Sequence, residues 1–246
     1  MENIDETLTR IRISSPGFFF LFRKIVSRYK YHRLNFYYLK NSRGHPNRPR
    51  EVKDTVIRID PLAIKYISEM KFDNIWDSGL ARNGDWDIPK RKFTESLQFK
   101  AIRDRYVNKK LWEETELYQA TAHELDQGFV RWGCSTRDEL RTRYMMIDKL
   151  YEDIKINGYK SKKEIITENL DDPFLHFEPL DEITVNIGRK GDLLFNDGAH
   201  RLSITLILNI KEIPVRIVGR HQSWTGPWLW KKETLRPLGG RYDLED

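Results

Sequence analysis

The 246 residues of this chain can bury about 70% of the surface that an unfolded chain of that size exposes, so folding requires neither a disulfide nor a metal staple. With 39% hydrophobic and 33% charged residues the composition excludes disordered and collagenous classes, and the single cysteine, Cys134, excludes an internal disulfide framework and a cysteine-rich zinc site. The net charge of +6 is unevenly divided: residues 1–50 carry eleven Lys or Arg against three acids, a net +8, and the remaining 196 residues sum to −2. That asymmetry predicts a basic arm on a near-neutral body rather than a uniformly basic nucleic-acid binder, and the lone cysteine predicts a reducing, cytoplasmic compartment.

In the arm, the apolar run Gly17–Phe22 is too short for a signal-peptide core or a membrane span. At helical period Phe18, Phe22, Ile25, Val26 and Tyr29 share one face, with Arg23, Lys24, Arg28 and Lys30 largely elsewhere. Such a helix either docks its aromatic face on the body or lays residues 14–40 on an anionic membrane surface, peripherally at the inner face; nucleic acid is a third partner for the cations.

A loop rich in Pro, Gly, Asn and Arg follows from Asn41 to Pro49, and the body, residues 51–246, opens with a strand at Thr55–Ile59 stopped by Pro61. Trp76–Leu80 and Gly84–Pro89 read as ordered loop, with glycines and acids against an element and tryptophans anchoring the segment. Residues 93–122 read as two helices broken near Asn108. A third helix runs from about Thr136 to Asn157, with Thr136 and Glu139 as a capping box, Gly158 as its stop, and Leu140, Tyr144, Ile147, Leu150 and Ile154 facing the core. Ile183–Ile187 alternates as a half-buried strand, Gly188–Gly191 is a hairpin loop, and Asp192–Asn196 is the return strand. Asp197-Gly198 breaks that strand, Ala199–Leu208 is an apolar helix, and Ile213–Val218 is a closing strand.

No GxxxxGK[ST] loop, GxGxxG, GxSxG, HExxH or CxxC occurs, which argues against kinases and NTPases of the commonest folds. Asn196-Asp197-Gly198-Ala199-His200-Arg201 is the one constellation with a chemical argument: a glycine turn lets the first amides of a helix converge on an anion, and Arg201 and His200 add charge and a donor. A capped turn whose side chains satisfy neighbours is the alternative reading of the same spacing. Elsewhere, Asp85 and Asp87 flank Trp86 in a loop suited to presenting carboxylates, ahead of Glu113-Glu114 and Asp77. His123 has no second histidine at ligand spacing, Cys134 reads as a small core residue, and Trp224, Trp228 and Trp230 read as tail packing.

The stretch Leu193–Leu202 with the following Lys211–Val218, which contains Ile213-Pro214-Val215, resembles the ParB/sulfiredoxin superfamily (the ParB-like nuclease domain), whose signature is strand, Gly-x-His-Arg, apolar helix, Ile-Pro-Val strand. Thr55–Pro61 and Leu150–Tyr159 resemble more weakly that family's first strand and its helix ending in Asn-Gly. The resemblance implies an α+β fold with a small mixed sheet and a helical insertion at about 90–160; the basic aromatic arm of residues 1–50, with the N-terminal basic amphipathic helix read above, lies outside it. It further implies that Gly198, His200 and Arg201 hold nucleotide phosphates, with Asp197 matching the motif's acidic variant. Ala199 stands where sulfiredoxins carry their reactive cysteine, so sulfinic acid reduction is excluded, and with only 28 residues after Val218 a partitioning helix-turn-helix is not expected. What the family leaves is nucleotide-dependent phosphotransfer to a small hydroxyl-bearing metabolite, as in its free serine kinases, with a nucleoside di- or triphosphate and Mg²⁺. Asp85, Asp87 and Asp197 are then the catalytic carboxylates. The competing readings are a nucleic-acid-binding or nuclease-like protein and a nucleotide sensor without turnover.

Overall fold

The computed structural model describes residues 16–44, 50, 52–168 and 180–226, and side chains from Arg28 onward apart from those of Asp54 and Ile166. Six strands form one mixed sheet: β1 (Val56–Ile59), β2 (Tyr66–Ile67), β3 (Leu80–Arg82), β4 (Ile183–Ile187), β5 (Leu193–Asp197) and β6 (Ile213–His221). The order is β1-β6-β4-β5-β2, with β3 also paired to β6. β4 and β5 form an antiparallel hairpin, and β6 returns parallel to β4 on its other edge. Antiparallel β1 pairs with Ile213–Arg216 and parallel β3 with Gly219–His221, so the two short strands share the remaining edge of β6.

Among the described residues six α-helices accompany the sheet: α1 (Pro16–Asn41), α2 (Leu97–Tyr106), α3 (Glu116–Asp126), α4 (Arg137–Asn157), α5 (Lys162–Glu168) and α6 (Ala199–Ile207). Local chemistry sets their limits. Ser96, Thr115 and Thr136 each accept an amide of the following turn, Thr136 and Glu139 form the capping box, and Gly158 ends α4 at φ 73°.

Both faces of the sheet are covered, which is why β4 and β6 are buried along their whole length instead of alternating. On one face Ile183, Val185, Val215 and Ile217 pack with Phe93, Phe99 and Leu202 of α6. On the other, Leu194 and Val218 pack with Phe72 and Trp86. A second core joins α2, α3 and α4 through Ile102, Trp112, Leu117, Leu140 and Tyr144; Ile204 of α6 belongs to it and Ile207 packs against both cores, so the helical insertion is fastened to the sheet through α6.

Three expectations change. The segment read as loop around Leu80 contains strand β3, held by β6 rather than by any local pattern. Tyr66–Ile67 adds a strand beside β5. In α1, Leu34 and fully buried Tyr38 dock against Val52, whereas Tyr29, expected on the docking face, is 62% exposed. The side chains of Phe18, Phe22, Ile25 and Val26, all of Trp228 and Trp230, and loop residues 45–49 lie outside the described residues. Trp224 packs partly buried against the main core.

Candidate functional site

The site is built where β5 ends and α6 begins. Gly198 adopts φ 95°, a conformation that favours glycine, and a Cβ there would lie a tight 3.1 Å from Ile183 Cα. Gly198 is the N-cap of α6 and offers no capping side chain, which leaves the amides of Ala199, His200 and Arg201 without an intrahelical acceptor at the positive end of the helix dipole.

The turn is held from beneath by polar groups buried in the sheet. Asn196 accepts from Phe72 N at 2.8 Å and donates to Phe72 O, Asn74 Oδ1 and Thr184 Oγ1, each at 3.1 Å. Asn74 in turn donates to Asp197 Oδ2 at 3.1 Å, while Asp197 Oδ1 accepts from Gly198 N at 2.9 Å. Lys71 approaches the same carboxylate at 3.7 Å. A buried network therefore fixes the orientation of Asp197 and of the loop that faces α6.

These residues open into a cleft of about 1010 Å³ between α6, α4 and the start of β4. Its lining carries six cations, Lys71, Arg91, Arg143, Lys160, Lys162 and Arg201, against the carboxylates of Asp153, Asp181, Glu182 and Asp197. That excess favours an anion. Arg201 is aimed by Asp181, donating to its backbone O at 2.6 Å and its Oδ1 at 2.9 Å.

Two titratable groups in the cleft are under-satisfied. His200 Nε2 is buried without a partner, and burial, reinforced by Arg143 and Arg201, pushes its pKa down to about 4, so the imidazole is neutral at pH 7. Glu182 is 4% exposed; its Oε1 accepts from Lys162 N at 2.7 Å and its Oε2 has no partner. Burial pushes the Glu182 carboxyl up to about 7 against the opposing pull of that hydrogen bond and of Arg201. A carboxyl poised at neutral pH in a cleft lined by cations is suited to proton transfer. Sequence reasoning missed it: Glu182 is a single acid before a strand, and only its burial distinguishes it.

Of the six residues singled out from sequence, the structure brings Asp197, Gly198, His200 and Arg201 together on this cleft. It does not bring Asp85 or Asp87 there. Asp87, its side chain 2% exposed, is ion-paired with Arg189 in the β4–β5 hairpin loop. The five residues of β5 put that loop about 16 Å from Gly198. Burial works to raise the Asp87 pKa, but hydrogen bonds from the Arg189 side chain and backbone prevail and hold it below the usual carboxylate range. Asp85, exposed, shares the same guanidinium at 2.8 Å. Trp86 does anchor the loop, its ring 4.9 Å from that of Phe72.

The secondary candidates are also accounted for by structure. Glu114 caps its own turn through Leu111 N, Asp77 pairs with Arg82, and His123 meets Gln127. Among the described residues no group of three or more His, Cys, Asp or Glu is placed to hold a metal ion. No helix among them is long and apolar enough to cross a membrane. In comparisons with known proteins, no family model, no curated protein and no solved structure matches the chain.

Proposed function

We propose that the chain is a nucleotide-binding protein of the ParB/sulfiredoxin type that transfers a phosphoryl group to a small hydroxyl-bearing metabolite. The observation that carries the reading is the left-handed Gly198 turn, which aims three uncapped amides of α6 and the Arg201 guanidinium into one cationic cleft. The path from β5 through that turn and α6 to β6, laid parallel to β4, supports the family resemblance.

The phosphates fit this donor set: amide N–H groups, an arginine and a neutral histidine able to donate without adding charge. Mg²⁺ ordinarily takes one or two carboxylates with phosphate oxygens and water, and Asp197 is the acid at the motif able to serve it. A bound nucleotide supplies the transferable phosphoryl group and Mg²⁺ offsets its charge. The chain's own part is to hold the phosphates through residues 199–201 and to take the acceptor's hydroxyl proton at Glu182 Oε2, which replaces Asp85 and Asp87 as the base. Asp181 keeps Arg201 aimed.

Calorimetry with ATP, ADP, CTP and GTP in Mg²⁺ tests the reading. Nucleotide binding should be lost in His200→Ala/Arg201→Ala, and Glu182→Gln should retain binding while lowering phosphotransfer a hundredfold or more. Survival of binding in the double variant would contradict the assignment. Duplex binding that weakens linearly in log–log salt plots, with no nucleotide binding, would favour the nucleic-acid reading instead.

A separate observation favours peripheral membrane association. The outward face of α1 presents Arg28, His32, Phe36 and Lys40 in one stripe, with Tyr29 beside it, a cationic and aromatic surface suited to an anionic leaflet.

A further inference from the structure

One wall of the cleft contains a residue in a conformation its type avoids. Arg131 and Cys134 exchange both backbone hydrogen bonds, at 2.9 and 2.8 Å, around a two-residue turn whose central residues, Trp132 and Gly133, both have positive φ, 52° and 79°. Turns of this kind favour Asn-Gly, because a left-handed backbone crowds a large side chain. Trp132 is nevertheless there, and the core does not claim it: it is 41% exposed and lines the cleft.

Several elements hold this indole in place. Arg131 clamps the turn to α3 through two bonds to Glu124, at 2.6 and 3.1 Å. From α4, Arg143 donates to Trp132 O at 3.4 Å, and its guanidinium sits 5.4 Å from the indole ring centre, with a buried, unpartnered Nε. From α6, the His200 ring approaches the same indole edge-on, 6.5 Å between centres at 82°. The strained residue therefore stands directly beside the turn that opens α6, with Arg143 on the same wall of the cleft.

We propose that Trp132 is the stacking platform for the planar base of the nucleotide whose phosphates sit at the start of α6, with Arg143 ordering the ring. This rests on the phosphate-site reading and adds the recognition of the nucleoside to it. Strain kept at an exposed position is explained by a ligand that needs a flat apolar face there. An indole stacks on any base and reads no hydrogen-bonding edge, so the site discriminates nucleotides from bare polyphosphate and favours purines, with the larger ring, over pyrimidines.

The test compares ATP with inorganic tripolyphosphate on the full chain by calorimetry. Trp132→Asn places a favoured residue in the turn and removes the ring; Trp132→Tyr keeps a ring. We expect the wild-type chain to bind ATP at least tenfold more tightly than tripolyphosphate. Trp132→Asn should erase that advantage, with tripolyphosphate affinity unchanged within twofold and a melting temperature no lower, and Trp132→Tyr should recover most of it. Equal affinity of the wild type for both ligands, or a loss in Trp132→Asn or Trp132→Tyr that is the same for both, would overturn the platform while leaving the phosphate site standing. Absence of binding by either ligand would remove the phosphate site itself, and the platform with it.

Discussion

Glu182 and His200 pull the stability of the protein in opposite directions with pH. Glu182 titrates near 7 in the folded chain and at 4.5 when free, so the folded state keeps a proton that the unfolded state has lost. Its contribution is complete below pH 4.5 and disappears as pH climbs to 7. His200 titrates near 4 against an ordinary 6.5, so the unfolded state takes up the extra proton and stability falls as pH drops from 6.5 to 4. Arg201 and Asp181 face Glu182, with Glu164 beyond, and Arg143 and Arg201 face His200. Between pH 4.5 and 6.5 the two slopes offset each other. Urea melts across that window should show stability rising with pH in Glu182→Gln and falling with pH in His200→Gln, by up to about 3 kcal/mol for each full shift. Like-signed slopes in the two variants would contradict the burial argument. Neither shift was legible in the sequence, where Glu182 is an acid before a strand. The glycine turn was legible, because positive φ and helix capping are properties of a few adjacent residues.

At the scale of elements, local signals and tertiary partners divide cleanly. Helix α4 was readable from Thr136, Glu139 and Gly158, because a cap and a stop act within one turn of chain. Strands β2 and β3, two and three residues long, were not, since neighbours far along the chain hold them. The same distinction explains the misread acids. Gly84-Asp85-Trp86-Asp87 reveals an anchored loop, but the partner of Asp87 is Arg189, 102 residues away, across a hairpin. Asp87 is therefore a fastening between the loop and the β4–β5 hairpin. Arg189→Ala should lower the urea midpoint more than Asp87→Ala does, because it strands a buried carboxylate, whereas the partly exposed guanidinium left by Asp87→Ala can turn to water. Nucleotide affinity should be unchanged in both. A loss of phosphotransfer in a folded, nucleotide-binding Asp87→Ala protein would return Asp87 to the reaction.

Over the whole molecule, cations gather on two surfaces: a cleft inside the near-neutral α+β body and a stripe along α1. Helix α1 is half core and half surface. Tyr38 and Leu34 are buried, and a Cβ on Gly79 would lie 2.7 Å from Tyr38 O, so the body is shaped around the end of this helix. Removal of α1 exposes Val52 and should lower stability by about 3 kcal/mol or more. Membrane association is better tested without truncation. Full-length protein should sediment with anionic vesicles and not with neutral ones, and Tyr29→Ala/Phe36→Ala should weaken it without changing the melting temperature. Equal sedimentation with both vesicle types, or none, would leave the stripe as a solvated face.

The central claim is that the start of α6 binds phosphate. Amide chemical shifts of the ¹⁵N-labelled chain, titrated with ATP in Mg²⁺, test it without any substitution. The account predicts that the resonances of Ala199, His200 and Arg201 move first and furthest, and that tripolyphosphate moves the same three. Shifts centred instead on Asp85–Asp87 or on the cations of α1, with residues 199–201 unmoved, would contradict it.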